Sequence, residues 1–271
     1  MGLPVNLPSE QEFSQFQKLI HQQLGIDLTP QKRAMLGHRL VKRVDALGLS
    51  GFGAYYQYIR QLENKSELDT ALELITTNET FFFREEKHFQ YLKDEILPAV
   101  RLSRPFDVWS AACSTGEEPY SIAMLLDHQR KGPWSVLATD VNNRVVEKAR
   151  KGIYLDDRTD LIPEIYRRRY CRMGVGEFDG YLRIEPKIRS KIDYRTLNLN
   201  QNFKNIGPFD LVFLRNVMIY FNEEVKTNIL KQVSKVLKPD GLLFISHSES
   251  LHGLTDEFTP VQPAIYRLKP R

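Results

Sequence analysis

Apolar positions along this chain follow two different periods. From Glu10 to about Ile75 they recur at helical spacing, and Phe13, Phe16, Leu19, Ile20 and Leu24 form one i, i+3, i+4 stripe that Gly25 stops. A second helical segment, 30–47, keeps Met35, Leu36, Leu40, Val44 and Leu47 on one face and closes at Gly48. Tyr55, Tyr58, Ile59 and Leu62 predict a third helix, and Leu68, Leu72 and Ile75 a fourth. With little alternation anywhere, residues 1–77 are expected to form a small all-α N-terminal domain.

After about Thr76 short apolar runs alternate with helical stretches. Strands are predicted at 107–112, 136–140, 193–197, 210–214 and 242–246, and helices at 119–129, 144–150 and 223–237. Short buried strands alternating with helices imply an α/β domain, 78–271, with a parallel sheet covered on both faces. A closing pair near 259–262 and 264–268 reads as an edge hairpin. Residues 166–195 break the alternation: short β-like runs are punctuated by Gly174, Gly176 and Gly180. The same stretch carries Arg167, Arg168, Arg169, Arg172, Arg183, Lys187, Arg189, Lys191 and Arg195. It is expected to be a small antiparallel insertion, and its cations suggest a partner site rather than a solvated excursion.

Composition narrows the function classes. At 271 residues the chain can bury one sizeable core plus a smaller domain. No apolar stretch approaches the roughly 20 residues that span a bilayer, so no membrane insertion is expected. The start, MGLPVNLPSEQEF, lacks the basic and apolar regions of a secretory signal and the Ser or Thr of a myristoylation signal. Two cysteines, Cys113 and Cys171, make no disulfide framework, which fits a reducing, cytoplasmic setting. No Cys/His cluster has zinc spacing, and no metal is expected. A net charge of +4 is too mild for a dedicated nucleic-acid binder but allows an acidic partner. The charge is concentrated in the second helical segment, where Lys32, Arg33, Arg39, Lys42 and Arg43 face a single Asp45. A solvated face and a docking face for an acidic helix both explain it.

The chemistry concentrates at residues 106–121, FDVWSAACSTGEEPYS. Strand, small-residue turn and helix in that order open a doubly wound nucleotide-binding fold. Such a turn ordinarily places a pyrophosphate at the helix N-terminus. Glu117 and Glu118 would repel that anion; they suit hydroxyls and positive charge, such as the ribose, amine and sulfonium of S-adenosylmethionine. Ser114-x-x-Glu117 is also a capping box, so helix capping explains the acids equally well here. Asp140 ends the second strand 24 residues after Gly116, near the roughly 20-residue offset of a ribose-binding acid. Asn198-Leu199 and Arg215-Asn216-Val217 follow the third and fourth strands, at the strand ends where open α/β sheets bind ligands. Tyr220 lies four residues past Asn216, with its hydroxyl aimed at a pocket or incidental to packing. In Asn78-Glu79-Thr80-Phe81-Phe82-Phe83-Arg84, Thr80 and Arg84 are one helical turn apart and could share a face, with Arg84 as a carboxylate clamp. His247 is read as structural more readily than catalytic.

Together, NETFFFR (78–84), AACSTGEEPYS (111–121), Asp140, Asn198-Leu199, RNVMIYF (215–221) and KPDGLLFISHSES (238–250) resemble the chemotaxis receptor glutamate O-methyltransferase family, CheR, nearly end to end. The resemblance implies a helical N-terminal domain and a Rossmann-like class I methyltransferase domain with a small β-subdomain inserted in it. It implies that Asn78, Thr80, Arg84, Glu118, Asp140, Asn198, Leu199, Asn216 and Val217 contact S-adenosylmethionine, and that Arg84 and Tyr220 flank the transferred methyl. The product would be S-adenosylhomocysteine. The basic helix would lie along the methylation helices of a chemoreceptor cytoplasmic domain. The Gly174, Gly176 and Gly180 loop looks like that of members which also grip a receptor's C-terminal tethering peptide. No appended helical-repeat module is expected, and a monomer is expected. Two other readings remain: a nucleic-acid methyltransferase whose basic helix tracks phosphates, and a receptor-binding adaptor that keeps the fold without turnover. Mild charge and the absence of a base-extruding motif weigh against the first, and the intact cofactor residues against the second.

Overall fold

The computed structural model describes residues 7–203 and 205–270; the residues Met1, Gly2, Pro4 and Asn6 used for the targeting reading lie outside them. The chain divides into two units. One runs to Thr77 and includes Tyr220–Val225; the other comprises Asn78–Ile219 and Lys226–Arg271.

In the first unit, α1 (Glu10–Leu24) starts at a reciprocal cap, in which the Ser9 hydroxyl accepts from Glu12 N and Glu12 accepts from Ser9 N at 2.7 Å. It ends at Gly25, whose φ of 74° suits a residue without a side chain. The second segment opens with a 3-10 turn, Pro30–Lys32, before α2 (Arg33–Ala46). α3 (Phe52–Ile59) and α4 (Lys65–Ile75) follow. Phe13, Phe16, Ile20, Leu36, Leu40, Tyr55 and Ile59 form the core, and each buried side chain of this size contributes about 1.5–3 kcal/mol. Leu62 departs from expectation: α3 stops at Ile59 and Leu62 is 94% exposed on a 3-10 turn. Residues 220–225 belong to this unit, with Asp27 N donating to Tyr220 O at 2.8 Å and Ile26 bridging Phe221.

The second unit begins with α5 (Glu86–Tyr91), a π turn and α6 (Leu97–Ala99). There follow β1 (Phe106–Ala111), α7 (Glu117–Gln129), β2 (Trp134–Asp140) and α8 (Asn143–Lys151). Next come β3 (Ile153–Leu155), α9 (Glu164–Tyr170), β4 (Cys171–Met173), β5 (Tyr181–Ile184) and α10 (Pro186–Arg189). The chain closes with β6 (Ile192–Thr196), β7 (Phe209–Leu214), α11 (Glu223–Val236), β8 (Leu237–Phe244), β9 (Phe258–Gln262) and β10 (Ile265–Leu268).

A seven-stranded sheet has the order β6-β2-β1-β7-β8-β10-β9, parallel except for β10 and β9. Every residue of β7 is buried, as expected of a central parallel strand covered on both faces. A separate antiparallel sheet has the order β3-β5-β4. Its first strand, Ile153–Leu155, lies ahead of the 166–195 stretch, because three residues are too few to show alternation; Arg167 to Arg169 sit on a helix rather than a strand. Residues 192–195, at the other end of that stretch, belong to the large sheet.

Candidate active site

The parallel strands all point their C-terminal ends at one edge, and the backbone there is unusual. Ala112 and Ser114 after β1, and Asn216 after β7, have positive φ, as do Phe83 and Glu85 in the segment before α5. Non-glycine residues rarely accept that conformation, and such strain gathers at functional sites.

The turn after β1 removes the capping-box reading of its acids. The N-cap of α7 is Gly116, with φ 97° and no side-chain cap bond. The capping box is therefore not formed: the Ser114 hydroxyl donates to Asn78 O at 3.1 Å, and Glu117 accepts from Thr115 Oγ1 at 2.6 Å. Glu117 is fully buried, and burial raises its pKa. Glu118 turns the other way, accepting from Ser110 Oγ at 2.7 Å and from Arg215 Nη1 at 2.8 Å.

Asp140 joins two strand ends. Its Oδ2 accepts from Ser114 N at 2.9 Å and its Oδ1 from Asn142 N at 3.0 Å. It thus shapes the turn after β2, yet a carboxylate has about four acceptor sites, leaving capacity for a diol. Burial raises its pKa, opposed by these backbone donors. Leu197 N donates to Asp140 O at 2.9 Å, placing Asn198 and buried Leu199 at the end of β6. The Asn198 side chain accepts from Asn200 N at 2.9 Å.

Asn216 and Val217 sit on a loop held by Glu249. That carboxylate accepts from Asn216 N (3.1 Å), Met218 N (2.9 Å) and Ser246 N (2.8 Å). The Asn216 amide donates to Ser246 Oγ at 2.7 Å.

Segment 78–85 is not a helix, so Thr80 and Arg84 do not share a helical face; the left-handed residues Phe83 and Glu85 fold it into a turn. Phe82 and Phe83 join the core, while Phe81 is part-exposed with the Arg84 guanidinium 5.4 Å from its ring centre. Arg84 Nη1 donates to Glu79 O at 3.0 Å.

Glu85 is absent from the sequence reading and Arg215 enters it only within a motif, yet they organise this edge. The Arg215 side chain is 1% exposed and reaches Glu118, Glu85 Oε2 at 3.3 Å and the Arg84 carbonyl at 2.5 Å. Burial alone would raise the Glu85 pKa, but Ser246, Arg215 and His247 hold it down at about 2. His88 is also lowered, to about 3, by burial and Arg215, which favours its neutral form. His247 contacts Glu85 at 2.8 Å and stacks on His88. Glu85, His88 and His247 thus form a cluster of metal-ligating types that sequence spacing did not show. The buried Arg215 cation on the same Glu85 oxygen opposes a second cation there.

The remaining expected residues lie elsewhere. In the basic helix, Lys32 and Lys42 are exposed. Arg33 donates to Pro8 O at 2.7 Å, Arg39 to the carbonyls of Ile75 and Thr76, and Arg43 forks onto Glu67 at 2.9 and 2.5 Å. Tyr220 groups with the first unit. Gly176 and Gly180 have positive φ, and a side chain on Gly174 would strike Phe178 O at 1.8 Å; all three lie in the β4–β5 connection.

The donor set fits S-adenosylmethionine. Carboxylates and amides serve hydroxyls, an amine and an adenine edge, and the first turn presents acids where a phosphate would require bare N–H groups. Sheet order and acidic turn together define a Rossmann-like class I methyltransferase. Residues 78–266 match the family model described as CheR methyltransferase, SAM binding domain, and residues 11–76 match the CheR methyltransferase all-alpha domain. The chain belongs to the CheR methyltransferase family. It is 40% identical over 264 residues to the chemotaxis protein methyltransferase of Escherichia coli K12, covering 96% of this chain and 91% of that protein. It is 41% identical to the Salmonella typhimurium protein of the same name, with the same coverage. It is 35% identical to chemotaxis protein methyltransferase 1 of Pseudomonas aeruginosa, covering 95% of this chain and 98% of that protein. Among the described residues no helix is long and apolar enough to cross a membrane.

Proposed function

We propose that this methyltransferase esterifies glutamate side chains on the cytoplasmic domains of chemoreceptors, leaving glutamyl methyl esters and S-adenosylhomocysteine. The observation that carries the reading is the family match over the helical unit as well as the methyltransferase unit: a shared cofactor domain alone would leave the acceptor open. In this reading residues 1–77 dock the receptor, 78–271 carry the chemistry, and the enzyme works in the cytoplasm as a monomer.

S-adenosylmethionine, when bound, supplies an electrophilic methyl on a sulfonium. Asp140 would hold its ribose, Glu118 its positive end, and Asn78, Thr80, Asn198, Leu199, Asn216 and Val217 the rest. The acceptor glutamate, with ordinary pKa about 4.3, is already ionised at pH 7, so no general base is required. The protein's task is alignment and exclusion of water, worth roughly 7–11 kcal/mol of barrier for well-oriented partners. Arg84 is suited to steady a carboxylate, since its bond to Glu79 O uses one of five N–H donors. Tyr220 would aim the acceptor. Exposed Lys32 and Lys42 are the helix cations open to an acidic receptor helix, while Arg33, Arg39 and Arg43 also hold their own unit together. The loop bearing Gly174, Gly176 and Gly180 would receive a receptor's tethering peptide.

The test is transfer of radiolabelled methyl from S-adenosylmethionine to receptor cytoplasmic fragments. Label released by mild alkali as methanol identifies a glutamyl ester. Alkali-stable label, or label on nucleic acid, overturns the reading.

A further inference from the structure

The segment that closes the first strand of the inserted sheet reaches into the proposed cofactor site. Tyr154, on β3, donates its hydroxyl to Thr115 O at 2.7 Å and packs edge-on against Phe82 at 5.0 Å. A side chain on Gly116 would meet that hydroxyl at 3.0 Å, so the turn and the insertion are built in close contact. Four residues on, Arg158 Nη2 donates to Thr80 O at 3.1 Å and lies 3.6 Å from Glu117 Oε1.

Both contacts answer a need. The Glu117 side chain is 1% exposed, and its Oε1 has no hydrogen-bond partner. A buried carboxylate in that state is costly without a nearby cation, and Arg158 is the neighbouring charge that most opposes the effect of burial on Glu117. Three successive carbonyls of the cofactor segment are pinned from three directions: Asn78 O by Ser114 Oγ, Glu79 O by Arg84 Nη1 and Thr80 O by Arg158 Nη2. The third pin comes from the insertion.

We infer that Arg158 is a positioning residue for S-adenosylmethionine binding: it fixes the Thr80 carbonyl and neutralises buried Glu117, making the turn that follows β3 part of the cofactor site. The inference rests on the proposed role of residues 78–84 in holding the cofactor. Arg158 is 41% exposed, so its removal opens no core cavity, and the effect is expected on binding rather than on folding.

The experiment is calorimetric titration of S-adenosylhomocysteine into wild type, Arg158→Ala, Arg158→Lys and Arg158→Ala/Glu117→Gln, with melting curves and steady-state kinetics. Arg158→Ala is expected to weaken binding tenfold or more and to raise KM for S-adenosylmethionine in step, with kcat within about threefold and Tm within a few degrees. Lysine restores part of the loss by keeping the charge. The double variant recovers part of it, because no buried carboxylate is left unpaired. Binding by Arg158→Ala within twofold of wild type overturns the inference, as does a loss that only follows unfolding. Failure of wild type itself to bind S-adenosylhomocysteine would instead overturn the cofactor reading on which the inference rests.

Discussion

Two charge networks cap opposite ends of the same sheet. At the N-terminal ends of β1, β7 and β8, Lys238 Nζ bridges Asp107 and Asp210 at 2.7 Å each, and Arg104 adds a 2.6 Å bond to Asp210. At the C-terminal ends, Arg215 bridges Glu118 and Glu85. The parts are alike, a cation between two carboxylates, but the settings differ. Arg104 is half in solvent and Lys238 is 18% exposed, whereas Arg215 is 1% exposed. The first network ties strand starts together. The second lies among left-handed residues, at the edge where the sequence motifs collect. A buried cation whose loss leaves two carboxylates unpaired is a demanding way to secure a fold. It is explained by what it places: the Arg84 carbonyl and the Glu118 carboxylate.

The comparison breaks most sharply at Arg215. Arg215→Met is expected to cost about 3–5 kcal/mol of stability, as for other broken buried pairs, and to abolish methyl transfer. Lys238→Met is expected to cost on the order of 1–3 kcal/mol while leaving kcat/KM of the folded enzyme within threefold. Melting curves and initial rates on both variants check this; equal losses of activity would erase the distinction. Next in size, Arg84→Ala is expected to lower kcat/KM by two or more orders of magnitude with little change in Tm. Activity within a few-fold of wild type removes Arg84 from the mechanism.

A smaller effect separates the networks by pH. His88 titrates at about 3 in the folded chain against an ordinary 6.5, so the unfolded chain binds the extra proton between those values. Stability therefore rises with pH across that window and is lost as pH falls below 6.5. Glu85, at about 2 against 4.5, contributes stability above 4.5 that is lost as pH falls toward 2. Wild type is expected to lose several degrees of Tm between pH 7 and 5, and His88→Leu to flatten that decline; an unchanged slope shows that His88 is not its source. Smallest is the docking face: Lys32→Glu/Lys42→Glu is expected to raise KM for receptor three- to tenfold at low salt, less at high salt, with S-adenosylhomocysteine binding unchanged. A double variant that docks normally moves the receptor contact elsewhere.

Local patterns made much of this legible. Small-residue turns after apolar runs located the C-terminal strand ends. Where the reading failed, the cause was short length or distant pairing. β3 has three residues, too few to show a period. Thr80 and Arg84 looked like helix neighbours because spacing does not reveal the positive φ of Phe83 and Glu85. Arg215 passed as part of a motif because its partner Glu118 lies 97 positions away, and Ser246 is 161 positions from Glu85.

The chain's own pattern determined its periodicities, its two-part division into helical and alternating regions, and the chemical types offered at the strand ends, because these depend on neighbours within a few residues. Tertiary structure alone decided which charges are paired and buried. It turned Asp140 and Glu118 into shared acceptors, withdrew Arg39 and Arg43 partly into their own unit, and brought Arg158 of the insertion against Thr80 and Glu117. Electrostatic roles depend on distance and dielectric, and both are set only when the sheet closes and water leaves.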